Sequence, residues 1–288
     1  MITGSLVALV TPLLADGEVD FLSLQRLVSM QVESGTKAIV VMGTTGESPT
    51  LDPNEHEQVI ARCIEFVDGR IPVVAGVGSN STKEAVHLAR AAKRAGAVSG
   101  LSVVPYYNKP TQLGMYQHFE RIFTETGLPQ ILYNIPARTV CDMTNETILR
   151  LANLEGIVGV KDATGNMGRL AELAAYAPPD FALYAGDDDS SLAFMLAGGH
   201  GTISVTANLV PKLVSDLCDA AVRGDAVRAR ELNRKLVPLN KVLGLQTNPI
   251  VVKYAMEKRG LIGPGIRMPM TRLEDKYHGI VDEVLARL

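Results

Sequence analysis

Eight short runs rich in β-branched and other apolar residues recur along this chain, and each is followed by a longer stretch of helical period. The runs are Ser5–Val10, Ala38–Met42, Val73–Gly76, Gly100–Val104, Gln130–Asn134, Ile157–Lys161, Ala182–Ala185 and Gly201–Val205. The stretches Leu22–Ser34, Asn54–Val67, Lys83–Ala95, Gly114–Thr126, Thr144–Ala152, Met167–Ala175, Ser190–Ala197 and Leu209–Arg223 each carry one apolar face. Strand alternating with helix predicts parallel strands joined by right-handed crossovers. Continuous apolar runs are what strands covered on both faces require. Eight such units close into an α/β (β/α)8 TIM barrel, and 288 residues suit one barrel with a small addition. The competing architecture, an open doubly wound sheet, asks for a glycine-rich turn after the first strand. Here that position reads Thr11-Pro12-Leu13-Leu14-Ala15-Asp16-Gly17-Glu18.

Punctuation supports the boundaries. Gly35, Gly69, Gly96 and Gly127 fall where helix C-termini want a left-handed residue. Asp52-Pro53 and Ser81 stand where an N-cap and an early proline belong. Beyond residue 223 the strand signals stop, and Ala226–Leu243, Pro249–Lys258 and Met270–Leu288 read as helices. The expected organisation is therefore a catalytic barrel over residues 1–223 and a C-terminal helical extension over residues 224–288.

Composition removes several classes of function. At 47% hydrophobic and 20% charged, the chain is expected to be globular. A net charge of −3 with scattered Lys and Arg leaves no basic stripe for nucleic acid. Cys63, Cys141 and Cys218 match neither a disulfide framework nor a zinc spacing, and read as small buried hydrophobes in a reducing compartment. The start of the chain lacks a basic region ahead of its short apolar run, and no stretch reaches the roughly 18 apolar residues of a membrane span. A cytoplasmic protein is expected.

In a barrel of this kind, chemistry gathers at the C-terminal ends of the strands. There the chain places Gly43-Thr44-Thr45-Gly46-Glu47, Pro105-Tyr106-Tyr107-Asn108, Tyr133-Asn134-Ile135-Pro136 with Arg138, Gly159-Val160-Lys161-Asp162, and Gly186-Asp187-Asp188-Asp189. Hydroxyls, phenols, an amine and a guanidinium thus converge from distant parts of the sequence. Lys161 is the most informative, because it ends an apolar run and a charge there is costly unless paired. Desolvation favours the neutral amine that a Schiff base needs; an ordinary buried ion pair is equally served by this position. Tyr133, at the end of the adjacent strand, suits a proton shuttle or a phenol bonded to backbone. Thr44 and Thr45 suit a carboxylate or proton relay, and equally a turn that satisfies its own backbone. Arg138 suits bidentate capture of a substrate carboxylate, or plain solvent exposure. The three consecutive acids Asp187, Asp188 and Asp189 cannot all face one ion and read as a charge cluster at a helix N-terminus. The five histidines show no zinc spacing, so no metal is expected.

Taken together, the Gly43–Glu47 loop, the Tyr133-Asn134-Ile135-Pro136 turn with Arg138-Thr139, and Gly159-Val160-Lys161-Asp162 resemble the dihydrodipicolinate synthase / N-acetylneuraminate lyase family, and the likeness spans the whole chain. Arg138, Thr44-Thr45 and Tyr106-Tyr107 resemble its synthase branch rather than its sugar-acid lyases. The resemblance implies condensation of pyruvate with L-aspartate-4-semialdehyde through a Schiff base on Lys161, in lysine and diaminopimelate biosynthesis, without a cofactor. It implies a proton relay of Thr44, Tyr133 and Tyr107, with Tyr107 reaching into a neighbouring subunit of a homotetramer built as a dimer of dimers. It also implies that Thr45 binds the pyruvate carboxylate, Arg138 the semialdehyde carboxylate, and that Gly186 and Ile203 line the pocket. A lysine inhibitor site is implied at Ser48, Pro49, His56, Asn80, Glu84 and Tyr106. Pro49 and Pro53 depart there from members with a small residue and a histidine. The alternatives are a pyruvate-dependent sugar-acid aldolase on the same scaffold and a non-catalytic keto-acid sensor.

Overall fold

The computed structural model describes residues 1–288. In chain order the elements are β1 (Gly4–Ala8), α1 (Phe21–Glu33), β2 (Ala38–Val41), α2 (Pro53–Val67), β3 (Val73–Gly76), α3 (Thr82–Ala95), β4 (Ser99–Val103), α4 (Gln112–Thr126), β5 (Gln130–Asn134) and α5 (Pro136–Thr139). They continue with α6 (Asn145–Ala152), β6 (Ile157–Asp162), α7 (Met167–Tyr176), β7 (Ala182–Ala185), α8 (Ser191–Leu196), β8 (Gly201–Ser204) and α9 (Pro211–Val222). Three helices follow: α10 (Ala226–Leu243), α11 (Ile250–Lys258) and α12 (His278–Leu285). The strands are parallel and close into a barrel in sequence order, β8 pairing back onto β1.

Side chains alternate between two packed environments, as a pleated strand requires. Leu6, Val40, Val74, Leu101, Ile131 and Ile203 fill the lumen. Their neighbours Val7, Val41, Ala75, Leu132 and Val160 face the helices in the larger core. The strands need close approach at the C-terminal rim. A Cβ on Gly76 would lie 2.0 Å from the Met42 carbonyl oxygen, so only glycine lets β3 pass the end of β2.

The caps follow the sequence reading. Asp52 accepts from the amides of Asn54 (2.8 Å) and Glu55 (3.0 Å), and Glu55 reaches back to the Asp52 amide (3.0 Å), a complete capping box. Ser81 caps α3, and Gly96 and Gly127 take the left-handed conformation after α3 and α4. Two expectations change. The last helix begins at His278 instead of Met270, because residues 267–274 run irregularly across the barrel rim to join Glu47, Glu55 and Gln246. A one-turn helix, α5, forms where a loop was expected, started by Pro136 at its first position. No helix is long and apolar enough to cross a membrane.

Candidate active site

Tyr133 and Lys161 are register partners on the adjacent strands β5 and β6. Tyr133 belongs to the lumen cluster, and the Lys161 Nζ lies 4.3 Å from the centroid of its ring. Both are buried at 5% exposure, at the mouth of the barrel. No carboxylate lies within 4.0 Å of that amine. The obvious candidate, Asp162, points to the opposite face of β6, as strand alternation demands. Its Oδ1 accepts from the Thr164 amide at 2.8 Å, and its Oδ2 lies 3.4 Å from the Arg169 Nε. Arg169 in turn joins Asp142 at 3.2 Å, and Asn134 donates to Asp142 at 2.8 Å. The polar groups beside Lys161 are thus committed to a network behind the barrel wall. Of the two readings that the sequence leaves open, the ion-paired lysine has no partner.

The Gly43–Glu47 loop folds as a tight 3-10 turn over Thr44–Gly46. Thr45 is buried, and its Oγ1 accepts from the Asn248 Nδ2 at 2.9 Å, so its own hydrogen is free to donate elsewhere. The Thr44 hydroxyl makes no hydrogen bond within the chain and lines a cavity of about 350 Å³. Arg138, exposed on α5, lines the same cavity and donates from Nη2 to the Asn248 carbonyl at 3.0 Å. A smaller recess of about 120 Å³ lies between Thr44, Arg138 and Asn248. The Asn248 Oδ1 is buried without any hydrogen-bond partner.

Gly186 follows β7 and passes close to β6. A Cβ on it would lie 2.7 Å from the Ala163 Cβ, two residues beyond Lys161. Ile203 is buried in the lumen with Tyr133. Tyr107 differs from these: it has a positive φ of 73° and is 89% exposed.

Ser48, Pro49, His56, Glu84 and Tyr106 line the same 350 Å³ cavity as Thr44 and Arg138. Asn80 is outside that lining but donates to the Tyr106 carbonyl at 3.2 Å. His56 is not the exposed helix residue that its position allows: it is 5% exposed, with Nε2 against the Gly76 carbonyl at 2.8 Å. A carbonyl only accepts, so Nε2 carries the proton and Nδ1 is left as an acceptor. Burial pushes the His56 pKa down, which keeps the ring neutral. Glu84 accepts from the Ser79 hydroxyl at 2.6 Å in the first turn of α3.

Of the acids after β7, Asp187 accepts from the Ser190 amide at 3.1 Å, at the start of α8. The Asp188 carboxylate does not cap α8. Its Oδ2 accepts from the amides of Val205 (2.8 Å) and Thr206 (3.1 Å), the chain just after β8, and burial raises its pKa. No three His, Cys, Asp or Glu side chains come together in a metal-binding group.

Asn248 is the functional-site residue that sequence reading missed. Its Asn-Pro dipeptide signals only a turn between two helices. Nothing local says that the turn lies over a loop some two hundred residues earlier in the chain.

A 4-hydroxy-tetrahydrodipicolinate synthase of Nitrosospira multiformis is 54% identical over 285 residues, covering 99% of this chain and 95% of that protein. The chloride-inhibited dihydrodipicolinate synthase of Acinetobacter baumannii, solved in complex with pyruvate, superposes with a TM-score of 0.98 at 48% identity and covers 99% of this chain and 98% of its own. The enzyme of Cyanidioschyzon merolae, solved with lysine bound, superposes with a TM-score of 0.95 at 36% identity and covers 99% of this chain and 97% of its own. The model of the dihydrodipicolinate synthetase family matches residues 1–288, and the chain belongs to that family.

Proposed function

We propose that this chain joins pyruvate to L-aspartate-4-semialdehyde through an imine on Lys161, the 4-hydroxy-tetrahydrodipicolinate synthase reaction of lysine and diaminopimelate biosynthesis. The observation that carries this reading is the unpaired, buried amine of Lys161 set 4.3 Å from the Tyr133 ring. The neutral amine attacks the keto carbon of pyruvate, and water leaves as the imine forms. Loss of a methyl proton gives the enamine. Its carbon attacks the aldehyde, and the new alkoxide takes up a proton. The amino group of the semialdehyde then adds to the imine carbon and expels Lys161, closing the ring. Tyr133 and Thr44 carry these protons, and Thr45, with its hydroxyl hydrogen free, donates to the pyruvate carboxylate. Gly186 and Ile203 bound the pocket. The chemistry calls on no cofactor.

Arg138 favours an amino-acid aldehyde over a sugar acid. Its exposed guanidinium lines the same cavity as Thr44 and suits bidentate capture of the semialdehyde carboxylate. Arg138→Ala therefore lowers kcat/KM for the semialdehyde by roughly 10²–10⁴-fold, the loss of one or two charge-assisted hydrogen bonds. Borohydride still traps pyruvate on Lys161 in this variant. Full turnover without the guanidinium would return the sugar-acid aldolase to contention. A keto-acid sensor would show no pyruvate adduct even in the unaltered protein.

The exposure of Tyr107 supports a homotetramer in which that phenol completes the relay of a neighbouring copy. The cavity lined by His56, Glu84 and Tyr106 supports a lysine site, Glu84 taking an ammonium. A tetramer in sedimentation and turnover that falls at millimolar lysine are the expected results. A monomer, or indifference to lysine, removes the corresponding reading.

A further inference from the structure

The turn that carries Thr44 and Thr45 is held from outside the barrel. Three consecutive residues of it are each fixed by a distant side chain. Thr45 accepts from Asn248 at 2.9 Å, and the Gly46 carbonyl accepts from the Thr11 hydroxyl at 2.7 Å. Glu47 is paired with Lys253 through Oε1, while its Oε2 accepts from the Arg267 amide at 3.0 Å. The Lys253 ammonium also donates to the Thr11 carbonyl at 3.1 Å, beyond the end of β1. Glu47 has a left-handed φ of 57°, which a residue with a side chain adopts only when its surroundings impose it.

Both charges are deeply buried, at 3% exposure for Glu47 and 4% for Lys253. Two charges removed from water gain little net stability over an apolar pair of similar shape. What the ion pair supplies and an apolar pair does not is direction. The three hydrogens of the ammonium and the two oxygens of the carboxylate tie β1, the Thr44–Glu47 turn and α11 in one geometry.

We propose that Lys253 is a positioning residue: its ammonium, paired with Glu47, holds the Thr44–Glu47 turn, and with it the hydroxyls of Thr44 and Thr45, in one geometry. The proposal rests on the reading that Thr44 and Thr45 serve the condensation. The C-terminal helices then act as a strut for the active site and not merely as an appendage. Arg267 braces the same strut further out. Its guanidinium is held by Glu55 at 2.6 Å, and that contact keeps the Glu55 carboxyl down at about 2.

Lys253→Met, the neutral pair Glu47→Gln with Lys253→Met, and Lys253→Arg test this in the full chain. Amide hydrogen exchange over residues 43–50 reads the turn whatever reaction the protein performs. In Lys253→Met those amides exchange at least about tenfold faster, while those of β6 do not change. Turnover falls roughly 10²-fold, the expected penalty for a catalytic group displaced by about an ångström, and the KM for pyruvate rises. Borohydride still traps pyruvate on Lys161. The neutral pair recovers the melting temperature, since it leaves no unpaired buried charge, but not the turnover. Lys253→Arg recovers part of the turnover. Unchanged exchange over residues 43–50 in the folded single variant would overturn the proposal. So would a neutral pair that regains turnover along with its melting temperature, or folded single-variant turnover within about twofold of the original. If the unaltered protein forms no pyruvate adduct, the proposed reaction fails while the exchange data still decide the strut.

Discussion

Lys161→Ala is expected to lower turnover by at least about 10⁴-fold, the scale on which loss of a covalent nucleophile acts. The side chain is 5% exposed and has no carboxylate within 4.0 Å, so its removal strands no buried negative charge. The variant should therefore fold, and the loss can be assigned to chemistry. Intact mass after treatment with pyruvate and borohydride reads the step directly. The unaltered protein gains one reduced pyruvate, and the alanine variant gains none. Lys161→Arg is the sharper control. It keeps a long basic side chain, but a guanidinium is not deprotonated in a protein and cannot condense with a ketone. It too should be inert. An adduct that survives in either variant would place the imine on another amine and remove Lys161 from the mechanism.

The second large effect is at Tyr133. Replacement by Phe removes one oxygen and leaves the ring packed in the lumen against Lys161. The hydroxyl makes no hydrogen bond within the chain, so stability should hardly change. Its proposed work is to carry protons between the imine, the enamine and the new alcohol. Loss of a positioned acid–base group lowers kcat by roughly 10²–10⁴-fold. The KM for pyruvate should move little, because Thr45, not Tyr133, is assigned the carboxylate. Single-turnover trapping separates the steps: imine formation and condensation should both slow in Tyr133→Phe. A kcat within about tenfold of the original would take Tyr133 out of the relay and leave it a packing residue.

The local rules of the chain carried the architecture. All eight strands begin within one residue of the expected positions, because parallel buried strands write themselves as apolar runs. Asp52, Ser81, Gly96 and Gly127 marked helix ends because capping is decided within four or five residues of chain. The pairing of Tyr133 with Lys161 was legible for the same reason: each is the penultimate residue of its strand, and the two strands are consecutive.

Contacts across long separations were not legible. His56 occupies a position that could face solvent, and the close approach of Gly76 decides instead that it is buried. Arg138 sits on a one-turn helix that no periodicity could announce. Asn248, Lys253 and Arg267 follow the last strand by more than forty residues, yet they hold Thr45 and Glu47. Sequence alone determined the barrel, the strand ends and the amine with its phenol, because periodicity, capping and strand alternation act between residues near in the chain. Tertiary structure alone decided which distant side chains contact the Thr44–Glu47 turn, because that depends on how a closed barrel and its trailing helices meet in space.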